Sequence, residues 1–76
     1  SRTARALDPT RVNYVALTAL FRYLEHRFDD AIAESQRALD RDPRTYLALL
    51  YMSVSHAAKG EPAAGLAAAR RATALT

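Results

Sequence analysis

Three alanines and two prolines recur at one interval. Ala4, Ala38 and Ala72 stand 34 residues apart, and so do Pro9 and Pro43. A fixed interval of this length marks stacked arrays in which each unit is one helix pair that cannot bury its apolar face alone. The interval therefore predicts architecture before any single element is assigned. It also predicts a function that resides in binding surfaces more than in chemistry.

The local pattern agrees with helices throughout. The stretch 1–8 reads as the end of a helix, stopped at Asp8-Pro9 because the residue before proline is pushed out of helical geometry. Residues 11–26 carry Val12, Val15, Ala16, Ala19, Leu20 and Tyr23 at helical spacing, and Leu17, Phe21 and Leu24 widen that stripe over most of the circumference. A helix apolar on so many sides needs cover on more than one of them. Asp29 and Asp30 suit the first turn of a second helix, about 29–41, which buries Ala31, Ile32, Ser35, Ala38 and Leu39 and ends at Asp42-Pro43. A third helix, about 44–59, is again apolar nearly all round, and Gly60 is placed to cap it. Pro62 opens a fourth helix, about 62–75, rich in alanine. No alternating β-branched run or Asn-Gly turn signals a strand. Short connections predict that neighbouring helices pack antiparallel.

Seventy-six residues bound the chain to one small domain with a modest core. It lacks cysteine, so no disulfide or thiolate chemistry is available. No apolar run reaches the length of a membrane span, and the first residues show no signal peptide. The chain starts without methionine, which reads as a piece of a longer protein of unread compartment, cytoplasmic by default. The net charge of +3 comes mostly from arginines interleaved with acids, as at Asp40-Arg41-Asp42, so the surface reads as solvated and not as a nucleic-acid patch.

Catalytic groupings are weak. Ser53, Ser55 and His56 are near one another, but no carboxylate is placed to orient the histidine. Asp29 and Asp30 are adjacent on a helix and point apart, so a helix-start role fits them better than acid–base work. The two glycines are isolated, so no phosphate loop forms, and His26 and His56 are too far apart in sequence to suggest a shared metal. The expectation is no enzyme, no cofactor and no metal. Nucleic-acid and membrane partners are not expected either, since the tyrosines lie in apolar runs instead of among basic residues.

The stretch Phe28-Asp29-Asp30-Ala31-Ile32, followed by Arg37-Ala38-Leu39 and Asp42-Pro43, resembles the second helix and closing proline of the tetratricopeptide (TPR) repeat. Met52-Ser53, Gly60, Gly65-Leu66 and Ala72 resemble the same motif one period later. On this resemblance residues 1–9 end an upstream repeat, 12–45 form one repeat, and 46–76 form a second, incomplete one. The fold implied is all-α, a right-handed solenoid of antiparallel helix pairs, here a fragment of a longer array. Ala19, Ala31, Ala38, Ser53, Gly65 and Ala72 then serve repeat packing, where larger side chains would cost about 1–3 kcal/mol each. The chain departs from the family pattern where Arg22 and His56 replace its usual aromatic and Ser35 and Ala69 replace another. Either the first helices are rotated, or Arg22 buries its stem and keeps its head in water.

The resemblance implies a concave groove lined by Asn13, Ala16, Leu20, Tyr23 and Leu24, then Leu47, Leu50, Val54, Ala57 and Ala58. So apolar a lining suits an amphipathic helix or apolar peptide, with Tyr23 as the best single anchor. The family members that clamp a terminal carboxylate use Lys and Asn there, and only Asn13 matches. The partner is thus an unidentified protein or peptide. The competing expectation is that neighbouring repeats or a second copy cover these residues. Leu66, Leu75 and the alanine face of the fourth helix have no cap, which predicts self-association, as a homodimer or by helix exchange. The parent protein suggested by analogy is a bacterial signalling or regulatory protein.

Overall fold

The structure, a computed structural model, describes residues 9–76, with side chains from residue 14 on. The segment 1–8, read above as the tail of an upstream helix, and the Asn13 side chain lie outside the described residues. Among the described residues there are four α-helices and no strand: α1 Pro9–Leu24, α2 Phe28–Arg41, α3 Tyr46–Ala58 and α4 Pro62–Ala74. They pack in a row. α1 lies against α2 and α3, α2 also against α3, and α4 against α3 alone.

The interval seen in the sequence reappears in the backbone. α1 ends at Leu24 and α3 at Ala58, while α2 starts at Phe28 and α4 at Pro62, so both boundaries recur 34 residues on. The turns between them are the same turn. His26 N–H donates to Tyr23 O at 3.0 Å and Arg27 N–H to Arg22 O at 2.9 Å. One period later Gly60 N–H donates to Ala57 O at 3.0 Å and Glu61 N–H to His56 O at 2.9 Å. This paired closure is the Schellman end of a helix, and it needs a left-handed residue. Gly60 supplies it at φ 82°, and His26 supplies it at φ 62°. Histidine tolerates that region better than most side chains do.

The turn between α2 and α3 is built differently. Asp42 is extended at φ −146°, as the residue before Pro43 must be. Its carboxylate Oδ1 accepts Arg44 N–H at 3.0 Å, and its carbonyl accepts the Thr45 hydroxyl at 2.7 Å. Asp42 therefore holds the chain reversal that proline begins, and α3 starts at Tyr46, two residues later than the sequence suggests.

One core joins the row. Ala16 of α1, Ala38 and Leu39 of α2, Ala48, Leu49 and Met52 of α3, and Ala68 and Ala72 of α4 are buried together. The abundance of alanine there reflects close helix approach, and Leu49 is the largest side chain fully enclosed. Five of the six residues assigned to repeat packing, Ala19, Ala31, Ala38, Gly65 and Ala72, are buried, and Ser53 is half-buried.

Ser35 and Ser55 are also fully enclosed, and among the described residues neither hydroxyl has a hydrogen-bond partner. A buried hydroxyl left unpaired costs about 1–3 kcal/mol. Ser35 sits mid-helix, and its counterpart one period on is already alanine, Ala69. Ser35→Ala is therefore expected to stabilise the chain by about 1 kcal/mol, raising the thermal midpoint by roughly 4–8 °C. A melt followed by circular dichroism checks this, and a lowered midpoint would show that the hydroxyl is satisfied.

Candidate binding surface

Nine of the ten residues assigned to the groove separate into three groups. Leu20 and Tyr23 of α1 with Leu47 and Val54 of α3 are half-buried. Leu24, Leu50, Ala57 and Ala58 are exposed. Ala16 is fully enclosed in the core, so it is corrected from groove lining to packing: α3 lies against α1 and covers it. Asn13 falls outside the described side chains.

Register explains part of the division. Leu20 and Val54 hold the same place in successive units, as do Leu24 and Ala58. Leu20 and Leu24 are spaced i, i+4 on α1, and Leu47, Val54 and Ala58 i, i+7, i+11 on α3, so each set shares one helix face. Tyr23 is less available as an anchor than its type suggests. Its ring packs against Phe28, centroids 5.7 Å apart and planes tilted by 53°, and Phe28 also stacks on His26 at 5.7 Å. Part of the aromatic area of α1 is thus used to close the turn onto α2.

Arg22 and His56 occupy equivalent positions at the ends of α1 and α3, and each reaches an acid of its own turn. Arg22 Nη1 donates to Glu25 Oε1 at 2.9 Å, and His56 Nδ1 lies 2.7 Å from Glu61 Oε1. Arg22 is half-buried overall, with its guanidinium paired to Glu25.

The turns also meet each other. Lys59, in the second turn, pairs with Asp29 at the start of α2 and lies 3.5 Å from Glu61. The Asp29 hydrogen bond, with both carboxylates near, holds the Lys59 ammonium above its ordinary pKa. The His56 hydrogen bond and the Lys59 charge hold the Glu61 carboxyl below its ordinary value. Both groups face water, so these pairs contribute little to stability. Sequence reasoning gave Asp29 a helix-start role only. Its partner is 30 residues away, and only the packing of the units brings them together.

The shallow depression at this edge, lined by His26, Arg27, Phe28, Asp29, Asp30 and Lys59, is a set of mutually paired charges. Among the described residues, no three His, Cys, Asp or Glu side chains converge as a metal site would require, and no helix is long and apolar enough to cross a membrane. Ser53, Ser55 and His56 do not act together. The Ser53 hydroxyl donates to Gly65 O at 2.8 Å, Ser55 is sealed in the core, and His56 faces Glu61.

Compared with known proteins, the chain matches no family model, no curated protein and no solved structure.

Proposed function

We propose that this chain is a TPR-like protein–protein interaction module, a right-handed solenoid of antiparallel helix pairs that takes an apolar or amphipathic peptide or helix along α1 and α3. The recurrence of helix ends and turn hydrogen bonds at the 34-residue interval supports the repeat reading. The binding reading is carried by one observation. Leu20 and Leu24 of α1 recur as Val54 and Ala58 of α3, and with Leu47 these uncharged residues, half-buried or exposed, read as an apolar strip. A ligand helix with apolar residues at i, i+3, i+4 and i+7 fits such a strip. The module works by shape and apolar contact, with no reaction and no cofactor.

Leu24 is the residue to test, because it is 61 % exposed and its substitution leaves the core alone. Amphipathic helical peptides selected by display against the chain are expected to bind it, and Leu24→Lys is expected to weaken them about tenfold or more, the loss of one buried anchor. Peptides that bind Leu24→Lys and Val54→Asp as well as the parent chain would place the site elsewhere. The second reading, a self-association segment of a larger regulatory protein, is favoured by a different surface, the bare apolar face of α1 at Tyr14, Leu17 and Phe21.

A further inference from the structure

Charge is divided unevenly between the two edges at which the helices turn. Arg22 pairs with Glu25, Arg27 with Asp30, Arg37 with Glu34 and Lys59 with Asp29. Arg41, Arg44, Arg70 and Arg71 are exposed and make no ion pair among the described residues. The fold gathers these four at one edge. Arg41 closes α2, and Arg44 lies in the turn to α3. Gly65, near the start of α4, lies beside Ser53 and Ala57 in the second half of α3, and Ala72 shares the core with Ala48 and Leu49 of its first half. α4 therefore runs back along α3, and Arg70 and Arg71 in its last turns come to the edge where α3 begins. The opposite edge, where Lys59 meets Asp29 and Arg27 meets Asp30, has its charges paired.

We propose that this arginine edge docks an acidic peptide segment of a protein partner. The helix dipole accounts for Arg41 and Arg71, which stand in the last turns of α2 and α4, where positive charge meets the negative helix end. It does not account for Arg44, which stands two residues before α3 at a positive helix end whose first turn carries no acid. Residues 1–13 do not hold enough acid to neutralise the patch, since they contain one, Asp8, against Arg2, Arg5 and Arg11. Each guanidinium presents a planar fork that matches a carboxylate, and these four have no ion pair to break before a ligand arrives. The acids at the same edge favour a peptide over a nucleic acid. The Asp40 carboxylate accepts the Gln36 amide and the Asp42 carboxylate accepts Arg44 N–H, so both stay among the arginines. A continuous phosphate chain reaching all four arginines would meet those carboxylates, whereas the carboxylates of a peptide are discrete and fit between them. Leu47, one turn beyond Arg44 on α3 and half-buried, offers an apolar contact beside the charges. The excess positive charge also steers an acidic partner to this edge, an effect that salt weakens. The assignment rests on the charges and stands whether or not the apolar strip of α1 and α3 holds a ligand.

The test is fluorescence anisotropy of the full chain with a dye-labelled peptide of alternating Glu and Gly, which has no apolar residue for the strip to take. The peptide is expected to bind at low salt and to weaken as salt rises, and the same peptide with Gln for Glu is expected not to bind. The double variant Arg44→Glu with Arg70→Glu is expected to weaken the acidic peptide about tenfold or more. Both sites are exposed, so circular dichroism is expected to show the helix content of the parent chain. Arg44→Gln with Arg70→Gln removes the same two charges more gently and is expected to show the same loss in lesser degree, should reversal disturb the helix ends. Arg27→Glu makes the same kind of charge change at the opposite edge and is expected to leave the affinity within about twofold. An acidic peptide that does not bind at low salt overturns the proposal, as does equal binding of the Gln peptide. Equal weakening by Arg27→Glu and by the arginine-edge variants would also overturn it, because net charge and not this edge would then govern binding. A single-stranded or duplex DNA of matched charge that binds more tightly than the peptide would assign the edge to nucleic acid instead.

Discussion

Leu49→Ala is expected to cost about 2–5 kcal/mol, while Leu50→Ala, one residue along the same helix, stays within about 0.5 kcal/mol in the monomer. Leu49 is 1 % exposed at the centre of the core shared by all four helices. Truncating it removes three carbons' worth of apolar burial and leaves a cavity that four packed helices close only in part. A chain of this length has a total stability of about 4–11 kcal/mol at ordinary values per residue, so the change takes a large share of it. A drop in the thermal midpoint of roughly 10–30 °C follows from the usual scaling for small domains. Leu49→Met keeps the volume and is expected to cost under about 1.5 kcal/mol, which separates the cavity from a general intolerance of change. Chemical denaturation of the three variants, under dilute conditions where assembly is absent, checks the ordering. Equal costs for Leu49→Ala and Leu50→Ala would mean that α3 is rotated from the place described here.

The contrast between those two leucines also marks the limit of what the sequence shows. Helix existence and most helix ends were legible, because Pro43, Gly60 and Pro62 each impose a local geometry that no packing has to supply. The positions of close approach were legible too, since Ala31, Ala38, Gly65 and Ala72 recur with the period. Exposure was not. Ala16 and Leu50 occupy the same place in the repeat, and only the number of helices stacked beyond each decides that one is sealed and the other bare. A periodic sequence reports the position within a unit and is silent on the unit's rank in the row. The same blindness hid the Tyr14–Phe21 face, whose signal was present as large residues standing where the next unit has Ala48 and Ser55. The left-handed His26 was equally hidden, because histidine does not announce a positive φ as Gly60 does. Of the candidate strip, the apolar character was readable, whereas the diversion of Tyr23 onto Phe28 depends on how the turn folds back.

Gly65→Val is expected to be the most damaging change on α4, at about 3 kcal/mol or more. A Cβ at this position would come within 2.9 Å of the Ser53 backbone oxygen, 3.4 Å of Ala57 N and 3.7 Å of Ala57 Cβ. The first of these atoms is backbone in the middle of α3, so it cannot swing aside; the helices themselves must separate. Even alanine is pulled two ways. It gains about 1 kcal/mol of helix propensity over glycine and loses about 1–3 kcal/mol to overpacking, so Gly65→Ala is expected to be mildly destabilising. Valine adds two methyl groups to the same contact and gains less propensity. The equivalent residue in α2 is Ala31, whose Cβ is fully enclosed, so α1 and α2 are spaced for alanine where α3 and α4 are spaced for glycine. The Ser53 hydroxyl exploits the shorter gap by donating to Gly65 O at 2.8 Å. That bond and the clash share one coordinate, the separation of α3 from α4. Ser53→Ala alone is expected to cost about 1 kcal/mol, and Gly65→Ala with Ser53→Ala less than the sum of the two, because separated helices have already lost the bond. A double-mutant cycle by thermal denaturation measures this coupling. Strict additivity would show that the helices do not separate and that the added methyl is absorbed within α4.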